Sequence, residues 1–260
     1  MPDFPDCYPF MHRQKLPRIA TTNSDTQIMV FNKEESTWVP EEYERWENDG
    51  VKWVIQDLPP EDEEKAIQLL VDHLGLDEVL CSSCGLNSDP ESVEGISKFW
   101  RHCLSRRTSL ACYAEKDGAR TLVGANVCVV LRKGEHLSVE IEGKEWQNVY
   151  HGLEFVETKR DPFEYLGLDV LLCAYGLVVK REYRGARLGA RLLNARQPLS
   201  KRLGVKATTT VFTGISSQKL AAKCGFTTIA EASLSEMAAS GLDYPKDDQR
   251  VIKLMVKRFD

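Results

Sequence analysis

Basic residues crowd one short stretch of an otherwise acidic chain. The 260 residues carry a formal net charge of -5. Five cations lie beside the single acid Glu182, giving this stretch a charge of +4: Lys180, Arg181, Arg184, Arg187 and Arg191. Gly185 and Gly189 lie among them, and neither has a Cβ that would keep a ligand away from the backbone. This reversal of charge beside glycine predicts a site for an anionic, phosphorylated ligand.

The elements around this stretch would place the anion at the start of a helix. The apolar run 170–179 predicts a buried strand, and a glycine-bearing turn follows it at 184–189. Apolar residues then recur at helical spacing, at Leu188, Leu192, Leu193 and Leu199. The free N–H groups of a first helical turn, together with a dipole of roughly half a positive charge, favour a phosphate there.

The sequence Arg184-Gly-Ala-Arg-Leu-Gly189 resembles the acyl-CoA-binding motif of the GNAT superfamily of N-acetyltransferases, Arg/Gln-x-x-Gly-x-Gly/Ala. The first and last positions match, whereas the fourth, normally Gly, is Arg187, whose guanidinium could bind the pyrophosphate instead. The resemblance implies acetyl-CoA or another acyl-CoA as co-substrate. The CoA-binding residues that it implies are Leu177, Val178, Val179, Arg184, Gly185, Ala186, Arg187, Leu188, Gly189, Ala190 and Ser217.

The segment downstream fits the same family. Residues 205–212 predict a strand, 216–224 a short helix, and Gly225-Phe226 follows that helix. In GNAT proteins the strand after the CoA helix splays away from its neighbour, and the acyl-pantetheine arm enters the gap. The resemblance therefore implies an α/β fold of GNAT type, a mixed sheet with a splayed central strand pair and flanking helices.

Acetyl transfer to an amine is direct attack of nitrogen on a thioester carbonyl. An alkylammonium, with a pKa of about 10, must first lose a proton, and the departing thiolate can take one up. Many GNAT enzymes protonate the thiolate with a tyrosine four residues before the Gly of a Gly-Phe pair, which here is Ala221. Thr213 and Ser217 instead resemble the paired serines of the insect arylalkylamine N-acetyltransferases, which also carry Tyr-Arg-Gly, as at 183–185. The alternative is that these hydroxyls only cap the short helix.

A candidate base lies near the end of the first predicted helix. The insect enzymes have Asp-Glu-Pro-Leu there, with the Glu acting as general base. This chain has Asp77-Glu78-Val79-Leu80, so Glu78 matches and Val79 replaces the proline. The resemblance implies that Glu78 takes the proton of the amine. The alternative is a solvated acid at a helix end.

Three functions remain open from the sequence. The first is an enzyme that acetylates a small primary amine, either an arylalkylamine such as dopamine, serotonin, tryptamine or octopamine, or a polyamine such as agmatine. The second is a protein lysine or N-terminal acetyltransferase, although the segment 135–165 is more typical of a lid than of a peptide groove. The third is a non-catalytic acyl-CoA sensor, which the missing tyrosine and Arg187 favour. A nucleic-acid partner is disfavoured, because the basic cluster is confined to one turn.

The chain divides into a predicted N-terminal extension, 1–50, with a possible short strand at 26–31, and a GNAT domain, 51–260. Asp117-Gly118 predicts a hairpin between strands at 110–116 and 121–131, and 139–158 predicts a helix. Cys81-x-x-Cys84 is expected in a loop, and without a second ligand pair we predict no metal. No apolar run approaches a bilayer span and no secretory signal is visible, so we expect a cytoplasmic monomer without a membrane partner.

Overall fold

One sheet of eight strands organises the part of the chain that the structure describes. The computed structural model describes residues 38–259, and the strand predicted at 26–31 lies outside this range. The sheet order is β1-β2-β3-β4-β5-β6-β8-β7, and only β5 and β6 pair in parallel. The strands are β1 (Glu42–Asn48), β2 (Val51–Asp57), β3 (Leu110–Lys116), β4 (Ala119–Arg132), β5 (Val170–Val179), β6 (Ala207–Phe212), β7 (Thr227–Ser233) and β8 (Val251–Arg258). The predicted mixed sheet is confirmed.

Helices cover both faces of this sheet. They are α1 (Glu63–Leu69), α2 (Gly75–Asp77), α3 (Val79–Cys84), α4 (Pro90–Leu104), α5 (Lys144–Thr158), α6 (Pro162–Leu166), α7 (Leu188–Leu203), α8 (Ile215–Lys223) and α9 (Leu234–Ala239). Successive strand residues point to opposite faces. Val54 of β2 therefore packs in a core with α1, α3, α4 and α5, whereas Ile55 packs in a second core with α7.

The central strands part in the middle of the sheet. β5 and β6 share only the pairs from Leu172↔Thr208 to Ala174↔Thr210. Beyond Ala174, β5 continues alongside β4 to Val179, and β6 continues alongside β8 to Phe212. The gap between β5 after Ala174 and β6 after Thr210 is called the wedge below. The predicted splayed strand pair is therefore confirmed.

The hairpin at Asp117-Gly118 is confirmed, because it joins β3 to β4 with φ values of 50° and 77°. The left-handed conformation of both residues is the one that a two-residue hairpin turn requires. The expected loop around Cys81 and Cys84 is wrong, since both cysteines lie in α3. Their short helix was missed because Ser82 and Ser83 interrupt any apolar periodicity.

β1 was also missed, since its sequence EYERWEN is largely charged and its residues are mostly exposed. This strand lies within the segment 1–50 that was assigned to an extension. The division into an extension and a domain stays a prediction, because residues 1–37 are outside the described range. Within residues 38–259, no helix is both long and apolar enough to cross a membrane.

Candidate active site

The wedge opens into a cleft that contains all three predicted catalytic residues. The cleft has a volume of about 150 Å³ and lies between β5, β6 and the helices α3, α4, α5, α7 and α8. Glu78, Thr213 and Ser217 line it although 135 residues of sequence separate the first two (213 minus 78). The rest of its lining is mainly aromatic and aliphatic, including Phe99, Trp100, Trp146, Val149, Leu153, Tyr175 and Leu177.

Glu78 is the N-cap of α3. Its extended backbone (φ −71°, ψ 135°) turns the carboxylate over the first turn of the helix. Oε1 accepts a hydrogen bond from the N–H of Leu80 at 3.0 Å, and Oε2 accepts one from the N–H of Cys81 at 2.6 Å. A carboxylate has about four acceptor positions, so these two bonds orient Glu78 and leave lone pairs for an ammonium proton. Glu78 is therefore fixed in place rather than solvated freely at a helix end.

Thr213 and Ser217 flank the corner between β6 and α8. The N-cap of α8 is Gly214, and no side chain of the described part of the chain caps that helix. The alternative interpretation of these hydroxyls as helix caps is therefore wrong. The Ser217 hydroxyl donates to the Gly214 carbonyl at 2.7 Å, so it must rotate before it can donate to a ligand. Ala221 packs in an apolar cluster with Phe212 and Phe226. Alanine has no hydroxyl, whereas many GNAT enzymes carry a tyrosine at this position.

The predicted anion loop joins β5 to α7. Gly185 has a φ of 89°, a value that favours glycine. Arg187 is the N-cap of α7 and adopts a left-handed conformation with φ 59°, at the motif position where glycine is usual. Gly189 is close-packed for a different reason: a Cβ there would lie 3.1 Å from Leu220 Cδ2, so that side chain would have to shift by a few tenths of an ångström. The N–H groups of residues 188–190, at the start of α7, have no intrahelical acceptor and are available to an anion.

Carboxylates already pair with most of the basic cluster. Arg184 Nη1 and Arg181 Nη2 each lie 2.6 Å from Asp77, and Arg184 Nε also donates to the Val179 carbonyl at 3.0 Å. The hydrogen bonds from Arg181 and Arg184 lower the pKa of Asp77. Arg191 pairs with Glu44. Among the described residues, Arg187 has no ion-pair partner. Asp77, next to Glu78, therefore ties the anion loop to the candidate base.

Two charged residues of the cleft escaped the sequence analysis. Glu157 lies on α5, an amphipathic helix in which an acid ordinarily faces solvent. Desolvation and the nearby charge of Glu154 raise its pKa to about 7. The spacing Trp146, Val149, Leu153 and Glu157 follows one helical face and could have shown that it shares a wall of the cleft. The segment predicted as a lid thus contributes a packed helical wall.

Arg196 is the second missed residue, and it is fully buried on α7. Its position falls on the apolar stripe of that helix, three residues after Leu193 and three before Leu199, which is the signal that could have identified it. No group of three or more His, Cys, Asp or Glu side chains within 38–259 is placed to hold a metal ion.

Several solved structures with the same architecture are described as acetyltransferases. A protein described as arylalkylamine N-acetyltransferase 7 from the yellow fever mosquito Aedes aegypti has a TM-score of 0.80 and 28% identity over 88% of this chain and 100% of that chain. A mosquito arylalkylamine N-acetyltransferase like 5b has a TM-score of 0.66 and 25% identity over 80% of this chain and 100% of that chain. A Drosophila melanogaster polyamine N-acetyltransferase, with a TM-score of 0.65, 20% identity and the same coverage, shares the fold.

No protein-family model and no curated protein sequence matches the chain. The structural similarities nevertheless confirm the predicted GNAT fold and the predicted resemblance to the insect arylalkylamine N-acetyltransferases. The chain is accordingly an acetyltransferase of the GNAT fold.

Proposed function

Starting from that fold, we propose that the protein transfers an acetyl group from acetyl-CoA to a small primary amine. The observation that carries this proposal is the convergence of Glu78, Thr213 and Ser217 on one cleft at the mouth of the wedge. These residues come from two distant parts of the chain, and the cleft is the place where their chemistry can act on one carbonyl.

The wedge suits the acyl-pantetheine arm. Past Ala174, the edge of β5 that would face β6 is unpaired, so the backbone from Tyr175 to Val179 can bind the amides of pantetheine as an added strand would. We propose that Leu177, Val178 and Val179 form this edge. The pyrophosphate would then meet the start of α7, where the backbone N–H groups of residues 188–190 and the Arg187 side chain are available.

Glu78 would take the proton of the amine, directly or through water. Its two bonds to the first turn of α3 hold the carboxylate in one orientation, as a general base requires. Thr213 and Ser217 would donate hydrogen bonds to the reacting thioester as its charge develops. The reaction needs no covalent intermediate, because the amine itself attacks the carbonyl.

The lining of the cleft favours an amine that carries an apolar group. Four aromatic side chains, Phe99, Trp100, Trp146 and Tyr175, surround it, and aromatic faces attract an ammonium as well as an aryl ring. Glu157 adds a second acid. An arylalkylamine would match both the aromatic lining, through its ring, and the acids, through its ammonium group. A polyamine or agmatine would place its second cation near Glu157.

A protein substrate fits this cleft less well, since α5 packs across it as a wall through Trp146, Val149 and Leu153. The non-catalytic sensor keeps one supporting observation, the burial of Ala221 in an apolar cluster. The monomeric state and the cytoplasmic location stay predictions.

The test is thiol release from acetyl-CoA over a panel of arylalkylamines, polyamines and peptides with free N-termini or lysines. We expect turnover with at least one small amine and its loss in Glu78→Gln. Turnover with peptides alone would establish the protein acetyltransferase, and tight acetyl-CoA binding without turnover on any amine would establish the sensor.

A further inference from the structure

Arg196 is a buried cation that pairs with no carboxylate among residues 38–259. Its Nε donates to Asn126 Oδ1 at 2.7 Å and its Nη1 donates to Thr210 Oγ1 at 2.8 Å, and both acceptors are neutral. Its Nη2 is buried and has no hydrogen-bond partner within residues 38–259. Native structures rarely leave a charged donor buried and unpaired, because its lost hydration is not replaced. Such a donor marks the place where a ligand atom is expected.

The guanidinium lies at the closed end of the wedge. Thr210, which accepts from Nη1, is the last residue of β6 that pairs with β5. Asn126, which accepts from Nε, also donates to the Gly176 carbonyl of β5 at 2.7 Å. These contacts fix Arg196 between β4 and β6, and its side chain lines the cleft. A group at the inner end of an acyl-pantetheine arm would therefore meet Nη2.

Arg196 is also the one basic residue among the described residues that line the cleft. The other titratable groups facing the cleft are Glu78 and Cys81 from the start of α3, Glu157 from α5 and Tyr175 from β5. Burial raises the pKa of Cys81 and of Tyr175, so both stay neutral near pH 7.

The charge of Arg196 is not neutralised by the two acids. The titratable groups that interact with its charge are the thiols Cys128, Cys173 and Cys224. Burial lowers the pKa of Arg196, but an arginine begins from so high a value that it stays charged. The cation therefore remains available to an anion that forms during the reaction.

We infer that Arg196 stabilises the CoA thiolate as it leaves, through a hydrogen bond from Nη2 to sulfur. The inference rests on the proposed function, since the thiolate forms only if an acyl-CoA thioester occupies the wedge. It also accounts for a chain in which Ala221 stands where a tyrosine would protonate the thiolate. Arg196 Cζ lies 5.8 Å from the ring centre of Phe226, which packs in the same cluster as Ala221.

The step balances without an acid. Glu78 first takes one proton from the ammonium and releases it to water. The neutral nitrogen then attacks the thioester carbonyl and forms the new C–N bond, and a second proton of the nitrogen passes to Glu78. The C–S bond then breaks, and its electron pair moves onto sulfur. Arg196 donates a hydrogen bond to this thiolate but keeps its proton, and the thiolate is protonated by water after release.

Titration of bound CoA tests the inference without relying on turnover. The ultraviolet absorbance of the CoA thiolate is followed against pH, with desulfo-CoA, which lacks the sulfur, as the baseline. We expect the thiol bound to the natural protein to titrate about one to two pH units below free CoA, as beside other fixed cations. In Arg196→Met this shift should be lost and kcat should fall about tenfold to hundredfold, whereas the affinity for desulfo-CoA should change little.

Arg202→Met is the matched control, because Arg202 is a half-buried arginine of the same helix that pairs with Asp57 outside the cleft. It should keep the shift whatever it does to stability. The inference is overturned if the thiol of CoA bound to the natural protein titrates as the thiol of free CoA does. It is also overturned if the shift survives Arg196→Met. If the Met variant does not fold, the same titration of CoA bound to the natural protein and to Arg196→Lys, which retains the charge, tests the inference. Failure of CoA to bind the natural protein would instead overturn the proposed function itself.

Discussion

The substitution Glu78→Gln separates the two roles that the structure gives to this residue. Glu78 caps α3 through two backbone bonds and faces the cleft. Glutamine keeps an acceptor oxygen, which can still bind the N–H of Leu80 or of Cys81, so we expect the free energy of unfolding to fall by no more than about 1 kcal/mol. The glutamine side chain cannot take a proton from the amine. The rate should therefore fall by about 10²–10⁴-fold, which corresponds to about 3–5 kcal/mol in the activation free energy.

The amine used in the assay sharpens this prediction. An alkylamine with a pKa of about 10 is neutral in only about one molecule in a thousand at pH 7, so it depends on the base. An amine that is already neutral at the assay pH should lose much less of its kcat/KM in Glu78→Gln. Steady-state rates with both amines, together with urea unfolding of the variant, give the measurement.

Glu157→Gln is the control, since it removes the other acid of the same cleft. Near-normal turnover of an alkylamine by Glu78→Gln, combined with a large loss in Glu157→Gln, would refute the assignment and make Glu157 the base. Equal losses for the neutral and the charged amine would show that Glu78 positions the substrate rather than removing a proton.

Three further predictions concern other residues of the site. Burial raises the pKa of Glu157 from 4.5 to about 7, so the folded state holds this proton more tightly than the unfolded state and stability falls as pH rises through that window, by at most about 3 kcal/mol. Glu157→Gln should accordingly be more stable than the natural protein above pH 7 but not near pH 4.5, as urea unfolding at both values will show. Arg187→Gly should relieve the left-handed backbone, worth about 1 kcal/mol, while raising the KM for acetyl-CoA; a lower melting temperature with unchanged KM would contradict both halves. Ser217→Ala should lower kcat with a loss of stability below about 1 kcal/mol, because its hydroxyl bonds only the Gly214 carbonyl and caps no helix; an unchanged kcat would remove it from the mechanism.

The acyl-CoA motif could be predicted from sequence because its physics is local. A strand, a glycine-bearing turn and a helix start follow one another within residues 170–203, and neighbouring residues alone create the anion site. Gly185 and the left-handed Arg187 occupy the turn that the motif implies. The hairpin at Asp117-Gly118 was predictable for the same reason. By contrast, β1 and the short helix around Cys81 carry little periodicity of their own. β1 is stabilised by pairing with β2, and the helix by packing against α5.

The pairing of Asp77 with Arg184 was decided by the tertiary structure, because 107 positions separate the two residues and only the folding of α2 against the anion loop brings them together. The same holds for Glu157 and Arg196. Their neighbours in sequence suggest an ordinary amphipathic helix, and a charged residue in such a pattern is normally solvated. Which charged side chain is instead buried depends on where the strands part, and this is set by the pairing of β5 with β4 and of β6 with β8. The residue types around the proposed CoA site are therefore a property of the sequence, whereas the charge inside the cleft is a property of the fold.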